Sequence, residues 1–450
     1  MGAKVTDRIE REERRLAATT QRSAAAWARA RRALPGGVAS SFQRGEPWPV
    51  YIARGEGAAV WDLDGTRRLD FHCGFGAMVQ GHANPAIARA LAERHPIGTH
   101  FAAANEDSVV VAEELARRFG LPLWRFTNSG TEATMDAIRI ARGFTGRDGV
   151  VMTAGAYHGH HDAVMGRDSA GLPAAVAALT ETVPYNDPDA LEAQIEALDR
   201  AGRRPACVIL EPAMLLGVVS PAPGYLAAVR EITSRYAVVL IFDEVKTGLS
   251  IAAGGAVERF GVRPDLVTLA KALGGGLPAG AIGGSDEVMS VVESGAVLQA
   301  GTFNGNPLSM AAARASLLEV LTPDAYARLE ELGARMVAGC SQALVSHGLP
   351  GNALALGARG CVTLAPEPIG DYATYAAGHD PARSRLTWLY GMNRGLFLAP
   401  GRPEQWTLSV AHSRDDVDAY VAVFAELCAE LAGGSARGAD DRAAGHLATT

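Results

Sequence analysis

The sequence predicts an α/β protein in which a mainly parallel sheet is wrapped by helices and accompanied by a second, smaller αβ region. Two observations carry this. Short apolar runs alternate with helix-like segments through the middle of the 450-residue chain, the pattern of βαβ units. Those runs are apolar nearly throughout, as strands covered on both faces are. The composition, 48% hydrophobic and 20% charged, suits a chain that buries a large core.

In chain order, Val60-Trp61-Asp62-Leu63-Asp64-Gly65 reads as a strand entering a turn and pairing with Arg68–Phe71 in a hairpin. Strands are predicted at Leu123–Thr127, Val150–Thr153, Ala206–Leu210, Val238–Phe242 and Leu266–Leu269. Between them, Thr131–Phe144 places Ala137, Ile138, Ala141 and Phe144 on one helical face, and Gly146 is a stop signal. After about residue 322, a helix over Asp324–His347 precedes strands at Gly360–Leu364, Leu396–Leu398 and Trp406–Ser409. A last helix spans Arg414–Leu431. The Gly-, Ala- and Ser-rich tail 432–450 has little to bury and is expected to be disordered.

Several function classes drop out. The formal net charge is −7 with no basic block, so nucleic acid is not an expected partner. No apolar run approaches the roughly 18 residues of a spanning helix, and Met1–Arg32 is charged and helix-prone rather than a signal peptide. The five cysteines lie far apart without a CxxC pair. That argues against a zinc site or disulfide framework and for a cytoplasmic location; no metal is expected.

Cation usage is more informative. Of 42 Lys plus Arg only three are lysine, Lys4, Lys246 and Lys271. Arginine can replace lysine in solvated ion pairs but not as an amine that must deprotonate and attack a carbonyl. Lys271 follows an apolar strand and runs into Gly274-Gly275-Gly276, a setting that depresses a lysine's pKa and lets backbone approach a ligand. Lys246 stands beside acids and reads as an ion-pairing or surface residue.

Other segments could serve the same site. Asn128-Ser129-Gly130-Thr131-Glu132 joins a strand to a helix with capping-box spacing; it serves either as a plain cap or as a phosphate cradle. Asp243 and Glu244 end a strand, either solvating it or pairing with a ring-nitrogen cation. Tyr157 follows a strand and either stacks on a planar ligand or packs in its loop. Gly301-Thr302 opens a loop of hydroxyl and amide donors.

In this order and spacing the pieces resemble the class III aminotransferases of the fold-type I pyridoxal-phosphate enzymes, in particular glutamate-1-semialdehyde aminomutase and the related β-amino acid transaminases. The likeness runs from about Pro35 to Leu431. It is carried by Leu34-Pro-Gly-Gly-Val38, Trp61-Asp-Leu-Asp-Gly65, Gly81-His-Ala-Asn-Pro85, Phe126-Thr-Asn-Ser-Gly-Thr-Glu-Ala133, Tyr157-His-Gly159, Glu211-Pro212, Phe242-Asp-Glu-Val245, Leu269-Ala-Lys-Ala-Leu-Gly-Gly-Gly276 and Gly301-Thr302.

The resemblance implies a seven-stranded, mainly parallel sheet in a large cofactor-binding domain (79–322). A small αβ domain would be built from both termini, 1–78 and 323–431. It implies pyridoxal 5'-phosphate bound as a Schiff base to Lys271, with Asp243 on the pyridine nitrogen, Tyr157 and Val245 sandwiching the ring, and Glu211 nearby. Ser129, Gly130 and Thr131 would bind the phosphate, with Thr302 donated by the other subunit of a homodimer whose active sites are shared.

It implies amino transfer between a small amine or amino acid, β-amino acids among the candidates, and a keto acid by a ping-pong route. Aminomutase or aminolactam racemase activity is the alternative on the same scaffold. Candidate substrate residues are Gln43, Arg44, Phe75, Arg394 and Arg402. Gln43 stands where the aminomutase pattern has a carboxylate-binding arginine, and a glutamine cannot form a bidentate charged pair.

Overall fold

The computed structural model describes residues 2–166, 169–402 and 404–433. The expected disorder of the tail therefore concerns, beyond Gly433, positions outside the described residues. The charged N-terminal stretch forms helices Gly2–Thr19 and Gln21–Ala30. Strands β1 (Ile52–Glu56), β2 (Ala59–Asp62) and β3 (Arg67–Asp70) follow as an antiparallel meander. Its expected turn is present: Asp62 Oδ1 accepts from the Thr66 N–H at 2.8 Å. Gly65 sits at φ +89°, a conformation costly for residues with a Cβ.

The central sheet contains β4 (Leu123–Thr127), β5 (Val150–Thr153), β6 (Thr180–Val183), β7 (Cys207–Leu210), β8 (Val239–Asp243), β9 (Leu266–Leu269) and β10 (Gly280–Gly284). Their order is β4-β10-β9-β8-β7-β5-β6. Neighbours pair parallel except β10, which is antiparallel to both β4 and β9. Side-chain alternation sorts the buried residues into two layers. Val151, Val208, Leu210, Leu240 and Phe242 enter one cluster, while Val150, Met152, Cys207, Ile209, Val239 and Ile241 enter another beneath helix Gly130–Thr145. This two-sided burial is why the strands read as continuous apolar runs.

The C-terminal part contributes β11 (Asn352–Leu356), β12 (Arg359–Thr363), β13 (Leu396–Phe397) and β14 (Gln405–Thr407). β11, β12 and β14 form an antiparallel sheet against helix Pro323–Ser346, which also packs on Arg414–Leu431. The strands expected near 396 and 406 thus belong to different sheets. β13 pairs parallel with β3, tying the late chain to the early chain. Helix Gly2–Thr19 packs likewise on helix Pro381–Met392.

All five cysteines are buried and none is in a disulfide. No helix among the described residues is long and apolar enough to cross a membrane.

The topology gathers the chemistry. β4, β5, β8 and β9 run in one direction, so their carboxyl ends open on one edge. There they deliver residues 128–131 and 157–159, Asp243 and Lys271 to a common cleft, the place where ligands sit in open α/β sheets.

Candidate active site

A cavity of about 430 Å³ is lined by Ser129, Gly130, Thr131, Tyr157, Asp243, Val245 and Lys271, together with Phe75, Lys246 and Arg402. It falls within the size range of small-molecule sites, about 300–1,000 Å³.

Lys271 begins a single 3₁₀ turn, Lys271–Gly274, directly after β9. Its φ is +47°, a left-handed conformation that a non-glycine residue adopts at a cost and that clusters at functional sites. The turn is pinned by the buried Ala272 and Leu273. Burial lowers the pKa of Lys271 against the opposing pull of Asp243 and Glu211, and Arg359 and Arg402 lower it further. The amine is thereby biased toward its neutral, nucleophilic form.

Asp243 ends β8 and is buried. Its Oδ1 accepts from the Val245 N–H at 3.0 Å and the Thr268 hydroxyl at 3.2 Å. Its Oδ2 lies 2.6 Å from His158 Nδ1. His158 is itself buried, its Nε2 has no partner among the described residues, and its carbonyl accepts from the Thr134 hydroxyl at 2.6 Å. It acts on the cavity by holding Asp243. Glu244 points elsewhere: it accepts from the Ala256 N–H at 2.7 Å and the Thr247 hydroxyl at 2.8 Å, capping the next helix rather than solvating the strand end. Burial pushes its carboxyl up to about 7.

Ser129 caps helix Gly130–Thr145, its Oγ accepting from the Glu132 N–H at 3.2 Å. The Glu132 carboxylate accepts instead from the Asn128 N–H at 2.6 Å, so the capping box is shifted by one residue. A Cβ at Gly130 would lie 2.6 Å from a Val245 methyl, and one at Gly159 would lie 2.7 Å from the Thr131 hydroxyl. Both glycines therefore allow close approach at the positive end of the helix, which is suited to an anion.

Tyr157 stands at the rim, with Phe42 edge-on at 5.7 Å and Phe75 at 5.5 Å from Phe42. Phe75 occupies a left-handed turn, φ +57°.

Glu211 does not line the cavity. It is buried behind the wall, where one oxygen accepts from the Tyr157 N–H at 3.1 Å and the other from the Leu215 N–H. It braces two cavity residues.

Thr302 lines a separate surface depression with Gly301 and Asn304. Of the other candidates, Gln43 is exposed and its amide oxygen is spent on the Ala39 and Ser40 N–H groups. Arg44 is exposed and lies beside Gly36, outside the cavity. Arg394 is withdrawn as a carboxylate binder. It pairs with Glu12 at 3.2 Å and stacks on Tyr390, because helix Gly2–Thr19 carries a buried acid to it.

Lys246 reverses the surface reading. It lies in the cavity wall, its Nζ donating to Phe75 O at 2.8 Å, with no ion pair among the described residues. His158 and Lys246 are the cavity-lining residues that the sequence reading did not assign to the site. The scarcity of lysine was the available signal for the second; His158 had only its place beside Tyr157.

The family model described as "Aminotransferase class-III" matches residues 41–363. A glutamate-1-semialdehyde 2,1-aminomutase of Thermomicrobium roseum is 41% identical over 431 residues, covering 92% of this chain and 99% of the relative. A glutamate-1-semialdehyde-aminomutase from Pseudomonas aeruginosa PAO1, solved as a lysine-to-alanine variant with PMP, superposes with a TM-score of 0.88. Its identity is 32%, and the match covers 96% of this chain and 99% of that one. An omega-transaminase from Sphaerobacter thermophilus gives a TM-score of 0.84 at 36% identity, covering 92% and 98%.

Proposed function

The chain belongs to the class III aminotransferases, pyridoxal-phosphate enzymes of fold type I, and on that premise we propose that it moves an amino group between a small amine or amino acid and a keto acid. The observation that supports this most is the meeting in one cavity of Lys271, the Asp243 carboxylate and the N-terminus of helix Gly130–Thr145.

The residues suit the cofactor. Ser129, Gly130 and Thr131 offer hydroxyls and N–H groups to a phosphate at a helix start whose close approach depends on Gly130 and Gly159. Asp243 would hold the pyridine nitrogen, and Val245 and Tyr157 would flank the ring. Lys271 would anchor the aldehyde. When bound, the cofactor supplies an electron sink for the charge left on the carbon beside the substrate amine.

The chain's own groups do the rest. Lys271, biased toward its neutral form, can take a proton at Nζ and return it. His158 fixes the orientation of Asp243, and Glu211 fixes the backbone of Tyr157 and Leu215. Tyr157, Phe42 and Phe75 form an aromatic rim at the cavity mouth, an apolar surface for the substrate's side chain.

We read the molecule as a homodimer with Thr302 donated across the interface. Large apolar side chains near that loop, Phe303 at 57% and Leu298 at 78% exposure, support this. We likewise read 1–78 with 323–431 as one small domain, since β13 pairs with β3.

A second reading, an aminomutase, is favoured by the name of the Thermomicrobium roseum relative. Against it, Gln43 replaces the expected arginine and is occupied locally. Amine donors added to the holoenzyme separate the two. A transaminase turns over only when a keto acid is supplied. Sustained turnover of glutamate 1-semialdehyde without one would favour the aminomutase.

A further inference from the structure

Lys246 is the cavity group that the reaction above leaves without a task. It enters from the turn after β8, beside Asp243 and Glu244, yet neither acid faces it. Asp243 is committed to His158, Val245 and Thr268, and Glu244 to Thr247 and the helix start at Ala256. Among the described residues its one hydrogen bond goes to Phe75 O, which leaves the rest of the amine's hydrogen-bonding capacity open there.

Arg402 lines the same cavity and, like Lys246, has no ion pair among the described residues. Behind them Arg359 is buried, with Nη1 and Nη2 unpartnered among the described residues. Burial lowers the pKa of Lys246 well below its ordinary value, and repulsion from Arg359, Lys271 and Arg402 lowers it further; Glu211 opposes them. Basic groups gathered beside the aromatic rim of Phe42, Phe75 and Tyr157, with Glu211 alone opposing the repulsion on Lys246, favour a bound anion, which would restore the charge that burial and repulsion remove from Lys246.

We propose that Lys246 is a specificity-determining residue which, with Arg402, receives a carboxylate carried by the amine substrate, so that the enzyme selects amino acids over neutral amines of the same shape. This rests on reading the Lys271 cavity as the amine-transfer site. The carboxylate offsets the repulsion that holds Lys246 toward its neutral form and accepts charge-assisted hydrogen bonds from both side chains. The aromatic rim takes the apolar remainder of the substrate.

Lys246 also props the turn at Phe75, and a purely structural role is separated by the choice of variants. Lys246→Gln keeps a donor for Phe75 O and loses the charge, Lys246→Met loses both, and Lys246→Arg keeps the charge.

The probes are 3-phenylpropanoate, which has a carboxylate and no amine, and its neutral amide, each titrated into the holoenzyme by calorimetry. The wild type is expected to bind the acid more tightly than the amide. Lys246→Gln and Lys246→Met are expected to lose about 10- to 100-fold in affinity for the acid, while Lys246→Arg retains most of it. The proposal is overturned if the wild type does not prefer the acid, or if Lys246→Gln binds it as the wild type does. Cofactor retention, followed by its absorbance, reports separately on the amine-transfer site, so either claim can fail alone.

Discussion

Asp243→Asn removes one negative charge from the cavity floor and almost nothing else. The side chain is 4% exposed, and its Oδ1 accepts at 3.0 Å and 3.2 Å from Val245 and Thr268. Asparagine keeps that oxygen and can present its amide to His158 Nδ1, now 2.6 Å from Oδ2. The fold is therefore expected to lose no more than about 1 kcal/mol, the net worth of one ordinary hydrogen bond. The cost to the reaction is different in kind. Leaving one member of a buried charge pair unmatched costs about 3–5 kcal/mol. At about 1.36 kcal/mol per factor of ten, the amine half-reaction is expected to slow between about 10²- and 5 × 10³-fold. Stopped-flow absorbance of the holoenzyme mixed with an amine donor reads the rate, and a thermal melt reads the fold. A folded variant within tenfold of the wild type would refute the role given to Asp243; a collapse in stability would make it structural instead.

Other consequences can be checked independently. Gly130→Ala puts a Cβ 2.6 Å from a stiff Val245 methyl; overpacking of about 1–3 kcal/mol is expected to weaken cofactor binding up to about 100-fold in equilibrium dialysis, and unchanged affinity would remove the close-approach argument. His412 is fully buried, and burial lowers its pKa to about 4. Below about pH 6.5 the unfolded chain takes up a proton that the folded chain refuses until about pH 4. Stability worth about 3 kcal/mol is thus present above pH 6.5 and lost as the pH falls through that window. Thermal midpoints are expected to fall less steeply with acid in His412→Gln than in the wild type, and equal slopes would exclude His412 as the source.

The central sheet was legible wherever side chains carried its signal. The runs at 150–153, 207–210, 239–243 and 266–269 are buried at every position, so burial on both faces wrote itself into the sequence as unbroken apolar stretches. β10 was not legible, because Gly-Ala-Ile-Gly-Gly has almost no side chains to pattern. Its glycines are demanded by neighbours instead: a Cβ would meet Thr127 Oγ1 at 2.3 Å from Gly280 and the Trp124 ring at 2.5 Å from Gly283. β6, Thr-Glu-Thr-Val, is buried only at its two ends and lies at the sheet edge, where a short polar strand resembles a loop.

The candidate site was readable where local chain order places the group, as at Lys271 after β9 or Ser129 at a helix start. It was misread where tertiary contact decides. Adjacent acids suggested an ion pair for Lys246, but the chain turns after Asp243 and sends Asp243, Glu244 and Lys246 to different partners, His158, the Ala256 N–H and Phe75 O. Arg394 was misplaced for a like reason, since its partner Glu12 lies at the far end of the sequence.

Borohydride reduction of the holoenzyme, followed by proteolysis and mass mapping, addresses the central claim most directly. The phosphopyridoxyl mass is predicted on the peptide containing Lys271 and absent from the one containing Lys246. Its recovery on Lys246, or on neither lysine, would contradict the account.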